Sequence, residues 1–98
     1  MPSYLPLHDS VAFTDAAVAE IALDAVNELI VKPIGGDIYI RLDGVDPSRA
    51  ADDWFIPAGV PEVIAIGHAV TSLKVIGETG DSGTVKVIGS RNAQDNQY

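Results

Sequence analysis

Hydrophobic and polar residues alternate through most of the chain beyond Pro33. "DIYIRL" sets Ile38, Ile40 and Leu42 against Asp37, Tyr39 and Arg41, the two-residue period of a strand with one buried face. "EVIAI" sets Val63 and Ala65 against Glu62, Ile64 and Ile66, and "TSLKVIG" and "TVKVIG" repeat the pattern. "WFI" reads as a short strand stopped by Pro57. "PAGVP" is a turn, with Pro57 presetting φ and Gly59 free to take positive φ. "ETGDSG" has the Gly and Asp content of a hairpin loop joining the last two strands. "DGVDPSRAADD" is a polar loop with turn chemistry at Asp43-Gly44 and Asp46-Pro47.

The stretch from Thr14 to Val31, "TDAAVAEIALDAVNELIV", fits two patterns. As a helix, Thr14 caps it, and Val18, Ile21, Ala22, Ala25 and Leu29 share a face. As strands, Val18 to Leu23 and Glu28 to Lys32 flank an Asp-Ala-Val-Asn turn, with Leu29 and Val31 opposite Glu28, Ile30 and Lys32. Local pattern leaves both open; the β-rich context that follows selects strands. Residues 1–9 carry Pro2 and Pro6 around apolar side chains and read as an extended N-terminal arm. Residues 90–98 form a polar tail without a period, which leaves 10–89 for the folded domain. The expected fold is all-β: a small antiparallel β-sandwich or jelly roll of seven to eight short strands. A single sheet would leave one apolar face wet.

Composition narrows the functions. The 98 residues suffice for one core, and 47% of them are hydrophobic. A net charge of −8 disfavours nucleic acid and anionic membrane, which need clustered Lys and Arg. The absence of cysteine excludes disulfides, thiolate metal sites and Cys nucleophiles. No apolar run reaches the ~20 residues of a membrane span, and the N-terminus lacks a basic leader, so cytoplasmic synthesis without export is expected.

Candidate chemistry is sparse. His8 and His68 stand apart, without an H-x-x-H pair, so no metal ligand set is assigned. Asp43, Asp46, Asp52 and Asp53 cluster in one loop, but their spacing is not that of a calcium loop. "GETGDSG" lacks the Lys-Ser/Thr of a phosphate-binding loop, and no serine sits in a G-x-S-x-G elbow. No catalytic residue and no cofactor is therefore nominated. Trp54-Phe55 is the remaining feature: neighbours in a strand point to opposite faces, so one ring can enter the core while the other meets a partner. Tyr4, Leu5 and Leu7 of the arm join Trp54 and Phe55 as candidate interface residues.

Three pieces of the second half carry a resemblance. They are Asp37-Ile38-Tyr39-Ile40-Arg41 as D-x-Y-x-R, Pro57-Ala58-Gly59-Val60-Pro61-Glu62, and Gly83-Thr84-Val85-Lys86-Val87 as G-T-x-x-V. In this order the chain resembles small phage-encoded virion proteins, although Trp54-Phe55 is a bulkier pair than their pattern carries. The resemblance implies a β-sandwich subunit of the virion, such as a non-enzymatic capsid decoration or cement protein. Its expected partners are a major capsid or other virion protein and further copies of itself. A tail, neck or fibre component and a carbohydrate-binding β-sandwich are the alternatives; the latter would use an exposed aromatic against a sugar ring.

Overall fold

The structure is a computed structural model that describes residues 7–23, 26–49, 53–67 and 70–90. Every element among them is a strand. They are β1 (Leu7–Phe13), β2 (Ala19–Ala22), β3 (Glu28–Ile34), β4 (Ile38–Arg41), β5 (Trp54–Ile56), β6 (Glu62–Ala65), β7 (Ser72–Gly77) and β8 (Gly83–Ser90). Between Thr14 and Val31 the chain forms strands, as the β context suggests, because β2 and β3 alternate in burial with period two. In β3, Leu29 and Val31 are buried while Glu28, Ile30 and Lys32 are exposed. β1 begins inside the stretch assigned to the arm: Leu7, His8 and Asp9 pair with Gly89, Ile88 and Val87. The rest of the arm, and the tail beyond Ser90, lie outside the described residues.

The eight strands form two four-stranded antiparallel sheets, in the orders β1-β8-β3-β6 and β2-β7-β4-β5. First pairs with last, second with seventh, third with sixth, fourth with fifth. This is one long antiparallel ribbon rolled up on itself, closed by the β3–β8 and β4–β7 ladders. It is the winding of a jelly roll.

The winding corrects the local hairpins expected from the sequence. Among the described strands, only β4 and β5 are consecutive and pair with each other. The "ETGDSG" loop joins β7 of one sheet to β8 of the other, and "PAGVP" joins β5 to β6 across the same gap. An arch between sheets needs the same Gly and Asp residues as a hairpin, so composition does not separate the two. Turn geometry is shifted as well. Val60 N–H donates to the Pro57 carbonyl at 3.2 Å, so Ala58 and Gly59 are the central residues and Pro57 precedes them. Gly59 takes the positive φ of 78° that the turn requires.

The inward residues of both sheets make one core. Phe13, Leu29, Val31, Ile64, Val85 and Val87 come from the first sheet, and Ile21, Ile38, Ile40, Ile56, Leu73 and Val75 from the second. Leu23 and Val26 join the same cluster from outside the strands. Pro33 sits within β3 opposite Val85. Its carbonyl accepts from Gly59 N–H at 2.7 Å, on the β6 side. The missing N–H of Pro33 therefore faces the same way, past the end of the β3–β6 ladder, and takes no bond from β8.

Leu29 and Ile30 are adjacent and opposite in face, and truncating each tests the packing. Leu29→Ala is expected to lower unfolding free energy by about 2–5 kcal/mol. Ile30→Ala is expected to stay within about 0.5 kcal/mol of wild type. Urea denaturation of both variants measures the difference.

Candidate functional site

Trp54 and Phe55 are both on the short strand β5, at one margin of the second sheet. Trp54 shares the side of buried Ile56 and stands opposite Ile40, yet remains 41% exposed because β5 is an edge strand. Phe55 points to the outer face, is 42% exposed, and lies opposite Tyr39. The two rings are 5.2 Å apart at an interplanar angle of 57°, a tilted contact rather than a flat platform. Tyr39 is further held by its hydroxyl, which donates to Glu78 Oε2 at 2.8 Å. That bond to a carboxylate raises the Tyr39 pKa, while a bond from Thr79 N–H and the one from Tyr39 hold Glu78 below its ordinary range. Tyr4 and Leu5 lie outside the described residues, and of Leu7 only the backbone pairing with Gly89 is described. Arm and aromatic pair are therefore not brought into a single site here.

The described carboxylates of the acidic loop after β4 are each bonded to a cation of a neighbouring strand. Arg41 donates through Nε and Nη2 to both oxygens of Asp43, and through Nη1 to Asp53 Oδ1 at 3.1 Å. Ser48 donates to Asp53 Oδ2 from its backbone N–H at 2.6 Å and from its hydroxyl at 3.1 Å. Lys74 Nζ lies 3.0 Å from Asp46 Oδ1. Asp43 Oδ1 also accepts from Val45 N–H, the side-chain turn expected at Asp43, whereas Asp46 reaches a lysine instead. The fork of Arg41 lowers the Asp43 pKa to about 2, and the Ser48 N–H holds Asp53 below its ordinary value. Among the described residues no group of three or more His, Cys, Asp or Glu is placed to hold a metal ion. His68 and Asp52 lie outside them.

The three pieces of the resemblance meet at the corner between β3 and β4. Asp37 Oδ1 accepts from Ala58 N–H at 2.8 Å, so the first piece holds the second. Gly59 N–H bonds to Pro33, and Pro33 and Ile34 pair with Val85 and Thr84 of the third piece. Asp37 N–H donates to Asp81 Oδ2 at 2.8 Å, just ahead of β8. At the crossing, a side chain on Gly83 would collide with the Ile34 carbonyl, and Gly35 takes φ 98°. These residues set how the ribbon folds over.

The outer face of the first sheet went unnoticed in the sequence. His8, Ile88, Ile30 and Val63 form one cross-strand row spanning all four strands. Ile30 is 37%, Ile88 46% and Val63 61% exposed. In the neighbouring row Lys86 lies directly opposite Lys32, next to Ser10. Alternation grouped Ile30 with Glu28 and Lys32 but set Val63 apart from Glu62, so it did not mark Val63 as outward, and the row exists only once register is known. Comparison with protein-family models, with curated proteins and with solved structures finds no match to this chain.

Two measurements follow from these charges. Asp43, Asp53 and Glu78 have depressed pKa values in the folded state, so their contribution is present above the ordinary carboxylate pKa and lost as pH falls through the folded values. The urea midpoint is expected to drop between about pH 4 and about pH 2, and Asp43→Asn to show a shallower drop. Like charges directly opposite on a sheet are destabilising. Lys32→Glu, which makes the Lys86 pair opposite in sign, is expected to raise stability by about 0.2–1 kcal/mol in low salt.

Proposed function

We propose that this protein is a non-enzymatic structural subunit of a phage virion, in the manner of a capsid decoration or cement protein. The observation that carries the reading is the joining of the three resembling pieces. Asp37 of D-x-Y-x-R bonds the backbone of the PAGVPE turn, and G-T-x-x-V runs beside Ile34 and Pro33, whose carbonyl the same turn bonds. Their order along the chain thus describes a single folded corner and not three separate turns. The jelly roll adds fold-level support, because viral capsid domains use it; many other functions do too, so this part is analogy.

A decoration subunit works by adding contact area across joints between shell proteins. Specific contacts of this kind bury about 800 Å² per partner, and repeated attachment over a shell multiplies weak single contacts. Exposed Phe55 against half-buried Tyr39 favours the carbohydrate-binding alternative, but the tilt of the pair and the engaged Tyr39 hydroxyl give a sugar ring no flat surface to stack on. Co-sedimentation with assembled phage shells tests the proposal. Saturable binding to shells is expected. A protein that stays in the supernatant with shells, and is retarded in a polysaccharide affinity gel, would overturn it in favour of sugar binding.

A further inference from the structure

The two outer faces of the sandwich differ in how their cations are treated. On the second sheet, Lys74 lies between Glu20 and Arg41, and Lys74 and Arg41 are bonded by Asp46, Asp43 and Asp53. Arg49 donates to the carbonyls of Asp15 and Gly77. On the first sheet, Lys32 and Lys86 have no carboxylate bonded to them among the described residues. They stand opposite each other, with Cβ atoms about 4.5–5.5 Å apart for such a pair. The one described carboxylate that the strand register places on this face is Glu28. It is four positions along β3 from Lys32, roughly 13 Å at strand rise. A chain of net charge −8 thus keeps an uncompensated lysine pair beside the exposed apolar row.

We infer that the outer face of β1-β8-β3-β6, with Ile30, Val63 and Ile88 in its apolar row and Lys32 and Lys86 beside it, docks on an acidic protein surface that carries an apolar strip. The lysines supply the charge complementarity. Opposite charge steers encounter and sets orientation, and the apolar row supplies buried area once the surfaces meet. A second copy of this chain is a poorer match, since two such faces would bring four lysines against two Glu28 carboxylates. The face is also small. Four strands at ~4.8 Å spacing and six residues of strand rise give roughly 15 by 20 Å, well under the ~800 Å² of a standard partner surface. Single attachments are therefore weak and salt-sensitive, which suits a subunit bound in many copies. That last point rests on the virion reading; the docking face itself does not.

Nuclear magnetic resonance titration of the labelled full chain tests the face with two synthetic amphipathic peptides. Both carry the same Leu/Ile strip, one flanked by glutamates and the other by lysines. The glutamate peptide is expected to shift the amides of β8 and β3, with affinity falling as salt is raised. Lys32→Glu combined with Lys86→Glu keeps a like-charge pair, so folding is little changed. In this variant the glutamate peptide should bind roughly tenfold more weakly or worse, and the lysine peptide should bind instead. Equal binding of both peptides, no binding of either, or shifts confined to other strands would overturn the inference. So would self-association of the unmodified chain through this face, seen by sedimentation and lost in Ile30→Glu. Shell binding unchanged by the double variant refutes the face alone and leaves the virion reading standing; loss of all shell binding in wild type, with the peptide response intact, does the reverse.

Discussion

Each described strand turns one face inward, and burying those faces against each other is the constraint on which the rest depends. A sheet with one apolar face must stack on another. Leu29, Val31, Val85 and Val87 from one layer meet Ile38, Ile40, Leu73 and Val75 from the other. The chain satisfies this by rolling a single ribbon, so that its two ends, β1 and β8, lie side by side. Neighbours in sequence are then mostly on opposite layers, and the ladders join distant segments. Such pairing is slow to form, because loop closure comes before its reward, but it leaves most connections as arches at the ends of the sandwich.

The arch at the β3–β4 corner shows how the roll is held. Asp37 bonds the Ala58 amide with its side chain and the Asp81 carboxylate with its backbone N–H. The Pro33 carbonyl takes the Gly59 amide, beyond the last pair of the β3–β6 ladder and ahead of β6. Backbone groups that the sheet no longer pairs are thus satisfied by the next arch, as buried or partly buried polar groups require. The acidic loop between β4 and β5 follows the same logic with charges, since Arg41, Ser48 and Lys74 engage Asp43, Asp46 and Asp53. Asp43, Asp46 and Asp53 of the acidic cluster are thus bonded within the fold.

Among the described residues, two surfaces expose apolar side chains together. One is the aromatic margin at Trp54 and Phe55, where a strand of three residues cannot cover its own side chains. The other is the broad face of the first sheet, apolar along one row and basic in the next. The second is less usual, since an antiparallel sheet commonly turns a polar face to solvent. A retained like-charge pair beside exposed isoleucines sacrifices some stability, a pattern expected where a surface serves binding.

Much of this protein was legible in its residues because side-chain alternation is a local signal. The period of two in Ile38-Tyr39-Ile40-Arg41 gave strand and inward face together, whereas in Glu62-Val63-Ile64-Ala65, apolar on both sides, it gave the strand alone; between Thr14 and Val31 the local period left helix and strands open, and the β-rich context selected strands. The positive φ at Gly59 was legible for the same reason, being required by a four-residue turn. Partnership was not. Whether Gly- and Asp-rich loops make hairpins or arches depends on which strand lies alongside, and that is chosen by how distant apolar faces pack. Hence the first-with-last pairing of β1 and β8, the capture of the PAGVP turn by Asp37, the Lys32–Lys86 opposition and the row from His8 to Val63 exist only in the tertiary structure. The sequence by itself determined where the strands alternate and, in β3 and β4, which residues share a face; the packing of two sheets decided the inward faces of β5 and β6 and which outward residues stand together.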